Sequence, residues 1–112
     1  MANRDWMRSW DRTDLAVASI TRIETLGFHR RSETERAWLG AAIGRMQVLA
    51  LSEAVEAHAI ALRQERKMGL ADAIIAATAL VHWLALVTRN ADDFKHVAGL
   101  ALINPFAEPE SD

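Results

Sequence analysis

Residues 70–87 read LADAIIAATALVHWLALV, and this stretch decides the fold. Apolar side chains recur at three- and four-residue spacing between Ile74 and Val81, which predicts a helix over about residues 70–83. The pattern then changes to a continuous apolar run at residues 84–87, typical of a strand that is buried on both faces. A helix that leads directly into a buried strand indicates an α/β fold with a largely parallel sheet.

The same alternation continues on both sides of this stretch. Apolar runs at residues 15–20, 47–51 and 100–103 predict three further strands. Two helical segments separate them, one over about residues 32–45 and one from about residue 52 to the break at residues 67–69. We therefore expect strands and helices to alternate along nearly the whole chain.

The two helical segments have recognisable starts. Ser32-Glu33-Thr34-Glu35 matches a capping box, in which a serine and a glutamate three residues later satisfy the first backbone N–H groups of a helix. Ser52 is placed to cap the second helix. These local signals support the helical interpretation of both segments.

Composition limits the class of protein. With 112 residues, 51% hydrophobic and 25% charged, the chain has the balance of one globular domain. The 13 Lys and Arg against 15 Asp and Glu give a net charge of −2, which is not the charge of a chain-wide nucleic-acid surface. The chain has no cysteine, which excludes disulfides and thiolate metal sites. We expect a cytoplasmic protein with no membrane association.

Three carboxylates are expected at one edge of the sheet. Glu24 follows the first predicted strand, Asp93 follows the strand at residues 84–87, and Asp72 lies in the first turn of the helix that feeds that strand. In an open parallel sheet all three positions lie at the carboxyl ends of the strands. Converging carboxylates repel unless a cation shares them, and Mg²⁺ or Mn²⁺ suits oxygen ligands of this kind.

Each of these residues also has a simpler explanation. Asp72 is favourable in a first helical turn because of the helix dipole alone. Asp93, beside Asp92, is able to cap the short segment that follows it, and Glu24 fits a solvated helix face. Arg89 is the best sequence candidate for a phosphate contact, although a salt bridge to Asp92 or Asp93 explains it equally well.

Two stretches carry a family resemblance, GLADAIIAATA at residues 69–79 and LVTRNADDF at residues 86–94. Together with Ser19-Ile20-Thr21 ahead of Glu24 and the segment GLALINPF at residues 99–106, they resemble the PIN-domain ribonucleases, in particular the VapC-type toxins of bacterial toxin–antitoxin pairs.

The resemblance implies a three-layer α/β fold with a mostly parallel sheet flanked by helices. It also implies an endoribonuclease that depends on Mg²⁺ or Mn²⁺, cuts RNA and is silenced by a small antitoxin protein. Glu24, Asp72 and Asp93 match the family's second, third and fourth acidic residues, which are catalytic and hold the metal. Asn90 and Thr88 match its supporting polar positions. A homodimer is expected, since dimers are common among the proteins that the chain resembles.

The chain departs from the family pattern in one place. The family begins with an apolar strand that ends in Asp, whereas no such run precedes Glu24, and Trp6-Met7 resembles the segment that follows that strand. We therefore expect residues 1–106 to form a PIN-like domain that lacks its first, central strand and its first catalytic Asp. Residues 107–112 are expected to form an acidic tail.

Three functions follow from these observations. The first is a metal-dependent endoribonuclease that acts as the toxin of a toxin–antitoxin pair. The second is a catalytically inactive, truncated PIN-like protein that acts through antitoxin binding or dimerisation. The third is a small α/β interaction module whose acidic edge is only solvated surface.

Overall fold

The computed structural model describes residues 15–105, so Trp6-Met7 and the predicted tail at residues 107–112 lie outside the described residues. The described chain contains four short strands, four α-helices and one 3₁₀ helix. In chain order these are β1 (Ala16–Ala18), α1 (Ser19–Leu26), α2 (Glu33–Ile43), β2 (Gln47–Leu49), α3 (Glu53–Glu65), α4 (Leu70–Val81), β3 (Leu86–Val87), the 3₁₀ helix (Ala91–Phe94) and β4 (Leu102–Ile103).

The strands form two parallel pairs. β1 pairs with β2, with Val17 opposite Val48, and β3 pairs with β4, with Leu86 opposite Leu102. Within residues 15–105 these are separate two-stranded sheets rather than one continuous sheet. The α/β alternation and the parallel direction predicted from the sequence are thus confirmed for the described strands.

The strand predicted over residues 15–20 is wrong at its last two residues. β1 ends at Ala18 and α1 begins at Ser19. Val17 and Ala18 belong to the strand and are buried, whereas Ile20 belongs to the helix and packs against the core. A short apolar run fits either element, and here two elements share it.

The core lies mainly between α3 and α4. Val55 from α3 and Ala73, Ala76 and Ala77 from α4 have no exposed surface. Alanines on the contact face of α4 let the two helix backbones approach closely. Phe94 and Val97, at and after the 3₁₀ helix, complete the same core. This packing fixes both the start of α4 and the 3₁₀ helix, the two places where acidic residues were predicted to act.

The predicted helix starts are confirmed. Ser32 Oγ accepts the Glu35 backbone N–H at 3.1 Å, and Glu35 Oε1 accepts the Ser32 backbone N–H at 2.9 Å, which completes the capping box. Ser52 Oγ accepts the Val55 backbone N–H at 3.2 Å. None of the helices within residues 15–105 is long and apolar enough to cross a membrane.

Candidate functional site

The N-terminal turn of α4 places Asp72. Gly69 is the N-cap residue in extended conformation, and Asp72 is the third residue of the helix. Its Oδ2 lies 3.9 Å from the position that a Cβ on Gly69 would take, so the carboxylate lies beside the start of the helix. Asp72 is thus the acidic residue of the first turn, near the partial positive charge of the helix end.

A chain of hydrogen bonds places Asp93. The Thr88 backbone N–H donates to Ile103 O at 2.9 Å, and Thr88 Oγ1 accepts the Asn90 backbone N–H at 3.0 Å. Asn90 O then accepts the Asp93 backbone N–H at 3.0 Å. The buried Phe94 anchors the next position. Thr88 and Asn90 therefore tie the 3₁₀ helix to the β3–β4 pair and fix the backbone of Asp93.

Asp72 and Asp93 line the same pocket, which has a volume of about 600 Å³. The pocket is bordered by the segment between α3 and α4, by the start of α4, and by the 3₁₀ helix with the turn after it. Its lining residues are Arg66, Lys67, Met68, Gly69, Asp72, Asp92, Asp93, Lys95 and His96. The fold thus brings together two of the three carboxylates that were predicted to converge.

Glu24 does not line this pocket. It is exposed on α1, which begins directly after β1. Within residues 15–105 no group of three His, Asp or Glu side chains is close enough to hold a metal ion. Asp72 and Asp93 therefore share a pocket to which Glu24 does not contribute.

The donor set of the pocket suits a hard divalent cation. Asp72 and Asp93 offer carboxylate oxygens from two separate elements. Mg²⁺ in proteins is often held by only one or two carboxylates, with water or substrate phosphate completing its coordination. Two aspartates from separate elements are thus a donor set of the kind that such an ion takes.

The charges in the pocket balance. Asp72, Asp92 and Asp93 contribute three negative charges, and the three cations are Arg66, Lys67 and Lys95. Lys95 forms an exposed ion pair with Asp92, and this hydrogen-bonded contact raises the pKa of Lys95. Arg66 and Lys67 are the other two cations that line the pocket together with Asp72 and Asp93.

His96 adds a further polar group to the pocket wall. Its Nε2 atom is buried and has no hydrogen-bond partner within the described part of the chain. A buried ring nitrogen without a partner is unfavourable in a folded protein, so this atom is available to a bound water or ligand.

The basic residues Arg66 and Lys67, which line the pocket, were not predicted as part of the site. The sequence indicates only a helix break at residues 67–69, yet Arg66 and Lys67 precede the helix that carries Asp72. Their position six and five residues before a candidate acidic residue was the signal available. Arg89, the predicted phosphate contact, does not line the pocket; Asn104 Nδ2 donates to its carbonyl at 3.4 Å.

Comparison with known proteins gives a family and a set of similar structures. The family model described as the PIN domain matches residues 2–100. A comparison with curated protein sequences gave no match.

A toxin–antitoxin complex from Klebsiella pneumoniae contains a similar chain, which is 30% identical in sequence. The match covers 92% of this chain and 82% of that chain, and its TM-score is 0.73. The DNA-bound VapBC complex from Salmonella typhimurium gives 26% identity, coverage of 80% and 74%, and a TM-score of 0.72. VapBC2 from Rickettsia felis, bound to a DNA fragment from its promoter, gives 26% identity, coverage of 80% and 73%, and a TM-score of 0.69. With the family model matching most of its length, the chain belongs to the PIN-domain family.

Proposed function

We propose that the chain is an endoribonuclease that depends on Mg²⁺ or Mn²⁺ and serves as the toxin of a toxin–antitoxin pair. The observation that carries the proposal is that Asp72 and Asp93, from distant parts of the sequence, line one pocket. Membership of the PIN family and similarity to chains from toxin–antitoxin complexes support the same function.

In the proposed mechanism Asp72 and Asp93 hold the divalent cation. A divalent cation held there would supply positive charge for the scissile phosphate and would make water a better nucleophile at neutral pH. The N-terminal turn of α4 borders the pocket and favours an anionic phosphate there. Thr88 and Asn90 act as positioning residues, because their hydrogen bonds hold the turn that carries Asp93. Glu24 belongs to the proposed metal set through its family match alone.

Single-stranded RNA cleavage tests this proposal. The purified chain is expected to cut RNA with Mg²⁺ or Mn²⁺ and to lose this activity in Asp72→Asn and in Asp93→Asn, since each variant keeps the size of the side chain and removes its charge. Glu53→Gln, an exposed change in the first turn of α3, is the matched control and should cleave normally. RNA left intact by the unaltered chain would contradict the proposal.

We also propose that a small antitoxin protein covers part of the α1 and α2 surface. These two helices contact each other, and each leaves a large apolar side chain about 70% exposed, Ile23 on α1 and Trp38 on α2. Two such side chains on helices that contact each other offer apolar area that a partner is able to cover. The test has two steps: a short reading frame is sought beside the gene, and its product is co-expressed with the chain. A complex should form that Ile23→Asp and Trp38→Asp weaken; no such reading frame, or no complex with the unaltered chain, would contradict this part.

One observation favours a second candidate, a catalytically inactive PIN-like protein that acts through antitoxin binding or dimerisation. Within residues 15–105 the carboxylates do not form a group of three. This candidate predicts that the chain binds its partner, or forms the expected homodimer in light-scattering measurements, and that RNA stays intact at every Mg²⁺ and Mn²⁺ concentration. Metal-dependent cleavage that Asp72→Asn abolishes would exclude it.

A further inference from the structure

Two basic residues that line the pocket, Arg66 and Lys67, have no role in the proposed chemistry. Arg66 directly follows α3 in extended conformation, with φ of −164° and ψ of 165°, and Lys67 follows it. Both side chains are exposed and both line the pocket that contains Asp72 and Asp93. Within residues 15–105 neither makes an ion pair or a side-chain hydrogen bond. As far as the described residues show, these two cations are therefore open to a bound anion.

The backbone that carries these cations is held in place. Met68, the next residue, is 8% exposed and belongs to the core cluster. Arg63 Nε donates to the Met68 carbonyl at 3.1 Å, and the Gly69 carbonyl accepts the Ala73 N–H at 3.0 Å as α4 begins. The segment is therefore anchored to α3, to the core and to α4, and it presents Arg66 and Lys67 from a fixed backbone.

The third cation of the pocket differs from these two. Lys95 is paired with Asp92 within the same turn, so its charge is already matched by a neighbour. Arg89, the phosphate contact predicted from the sequence, is not one of the residues that line the pocket. Arg66 and Lys67 are thus the cations best placed to meet a phosphate that enters the pocket.

We propose that Arg66 and Lys67 form a phosphate clamp that positions single-stranded RNA across the Asp72–Asp93 pair. This inference rests on the proposed ribonuclease function and adds the residues that hold the substrate. The planar guanidinium of Arg66 is suited to two parallel hydrogen bonds with one phosphate, and Lys67 supplies a compact charge. Contacts of this type set the register of a nucleic acid without reading its sequence.

RNA binding, measured apart from cleavage, tests the clamp. The parent is Asp72→Asn, in which cleavage is expected to be blocked, and the probe is a fluorescently labelled single-stranded RNA followed by anisotropy. Adding Arg66→Gln and Lys67→Gln should weaken RNA binding by roughly tenfold, whatever the RNA sequence. The slope of log K against the logarithm of the salt concentration should become shallower by about 0.7 for each phosphate that is no longer neutralised. The charge-preserving exchange Arg66→Lys with Lys67→Arg should retain most of the binding.

The matched control is Arg36→Gln with Arg45→Gln, which removes the same charge from exposed positions outside the pocket. Equal weakening in the control and the clamp variant would overturn the clamp in favour of a general charge effect, and unchanged binding in the clamp variant would overturn it as well. In the cleaving protein the clamp variant should raise KM with little change in kcat. Intact RNA with the unaltered chain would instead refute the ribonuclease function, so the two failures are distinguishable.

Discussion

The hydroxyl of Thr88 accepts the backbone N–H of Asn90 at 3.0 Å, and the Asn90 carbonyl in turn accepts the Asp93 N–H at 3.0 Å. The position of Asp93 therefore depends on a side chain five residues earlier, at the end of β3. A threonine at this point links the sheet to the 3₁₀ helix and thereby to the pocket.

Replacing this hydroxyl should affect activity more than stability. Thr88→Val keeps the shape of the side chain and removes the acceptor, and the missing hydrogen bond should cost roughly 0.5–1 kcal/mol in the free energy of unfolding. RNA cleavage should fall more steeply, by about tenfold, because the proposed function places the metal on Asp93 and a small displacement of that carboxylate would weaken the reaction. Thr34→Val, exposed on α2, is the control that should leave cleavage unchanged. Equal cleavage by the two variants would remove the positioning role of Thr88.

Trp83 is expected to be replaceable by glycine with a gain in stability. It has a φ of +57°, is 95% exposed, and follows the C-cap of α4. The Leu84 N–H donates to Ala79 O at 2.9 Å and the Trp83 N–H to Leu80 O at 3.3 Å, the hydrogen bonds of a Schellman motif. A left-handed conformation is strained for any residue with a Cβ, so Trp83→Gly should raise the free energy of unfolding by about 1 kcal/mol.

The control for this prediction makes the same substitution inside a helix. Trp38 is 70% exposed in the middle of α2, where glycine is unfavourable, so Trp38→Gly should lower stability by roughly 0.5 kcal/mol. Thermal and urea unfolding measure both changes. Destabilisation by both substitutions would show that Trp83 makes contacts that outweigh its backbone strain.

The core between α3 and α4 should be sensitive to truncation at Val55. Val55 has no exposed surface, and Val55→Ala should lower the free energy of unfolding by about 2 kcal/mol, because it removes buried methyl groups and leaves a cavity. Ile60→Ala lies on the same helix at a position that is 52% exposed, and it should cost less than about 0.5 kcal/mol. Urea denaturation measures the difference, and similar costs for the two variants would contradict the described core.

The capping box should make the stability of α2 depend on pH. Hydrogen bonds from the backbone and side chain of Ser32 lower the pKa of Glu35. A carboxyl with a lowered pKa in the folded state contributes stability above its unfolded pKa and loses that contribution as the pH falls through the folded value. The stability difference between the unaltered chain and Glu35→Ala should therefore be largest near neutral pH and shrink in acid. A difference that does not change with pH would contradict this account.

Local signals in the sequence predicted the local features of the fold. Ser32 and Glu35 predicted their helix start because both partners of the capping box lie within one turn. Asp72 was placed correctly in the first turn of α4 for the same reason. The change from strand to helix at Ser19 was missed. The apolar run continues across both elements, so no change in its periodicity marks the boundary between them.

The candidate site was predicted only where sheet topology determines it. The shared pocket of Asp72 and Asp93 agrees with the expectation that strand ends share one edge. Arg66 and Lys67 reach the pocket through the packing of α3 on α4 and the anchoring of Met68, which no local pattern shows. Glu24 was expected at the same edge, but it lies on a helix and not in the pocket.

The central claim is that Asp72 and Asp93 together hold one divalent cation, and titration with Mn²⁺ by isothermal calorimetry tests it most directly. The unaltered chain should show one binding site, which Asp72→Asn and Asp93→Asn should each abolish, whereas Glu53→Gln should leave the isotherm unchanged. Glu24→Gln measures whether the exposed carboxylate on α1 contributes to the site. No Mn²⁺ binding by the unaltered chain, or binding that survives both aspartate substitutions, would contradict the account.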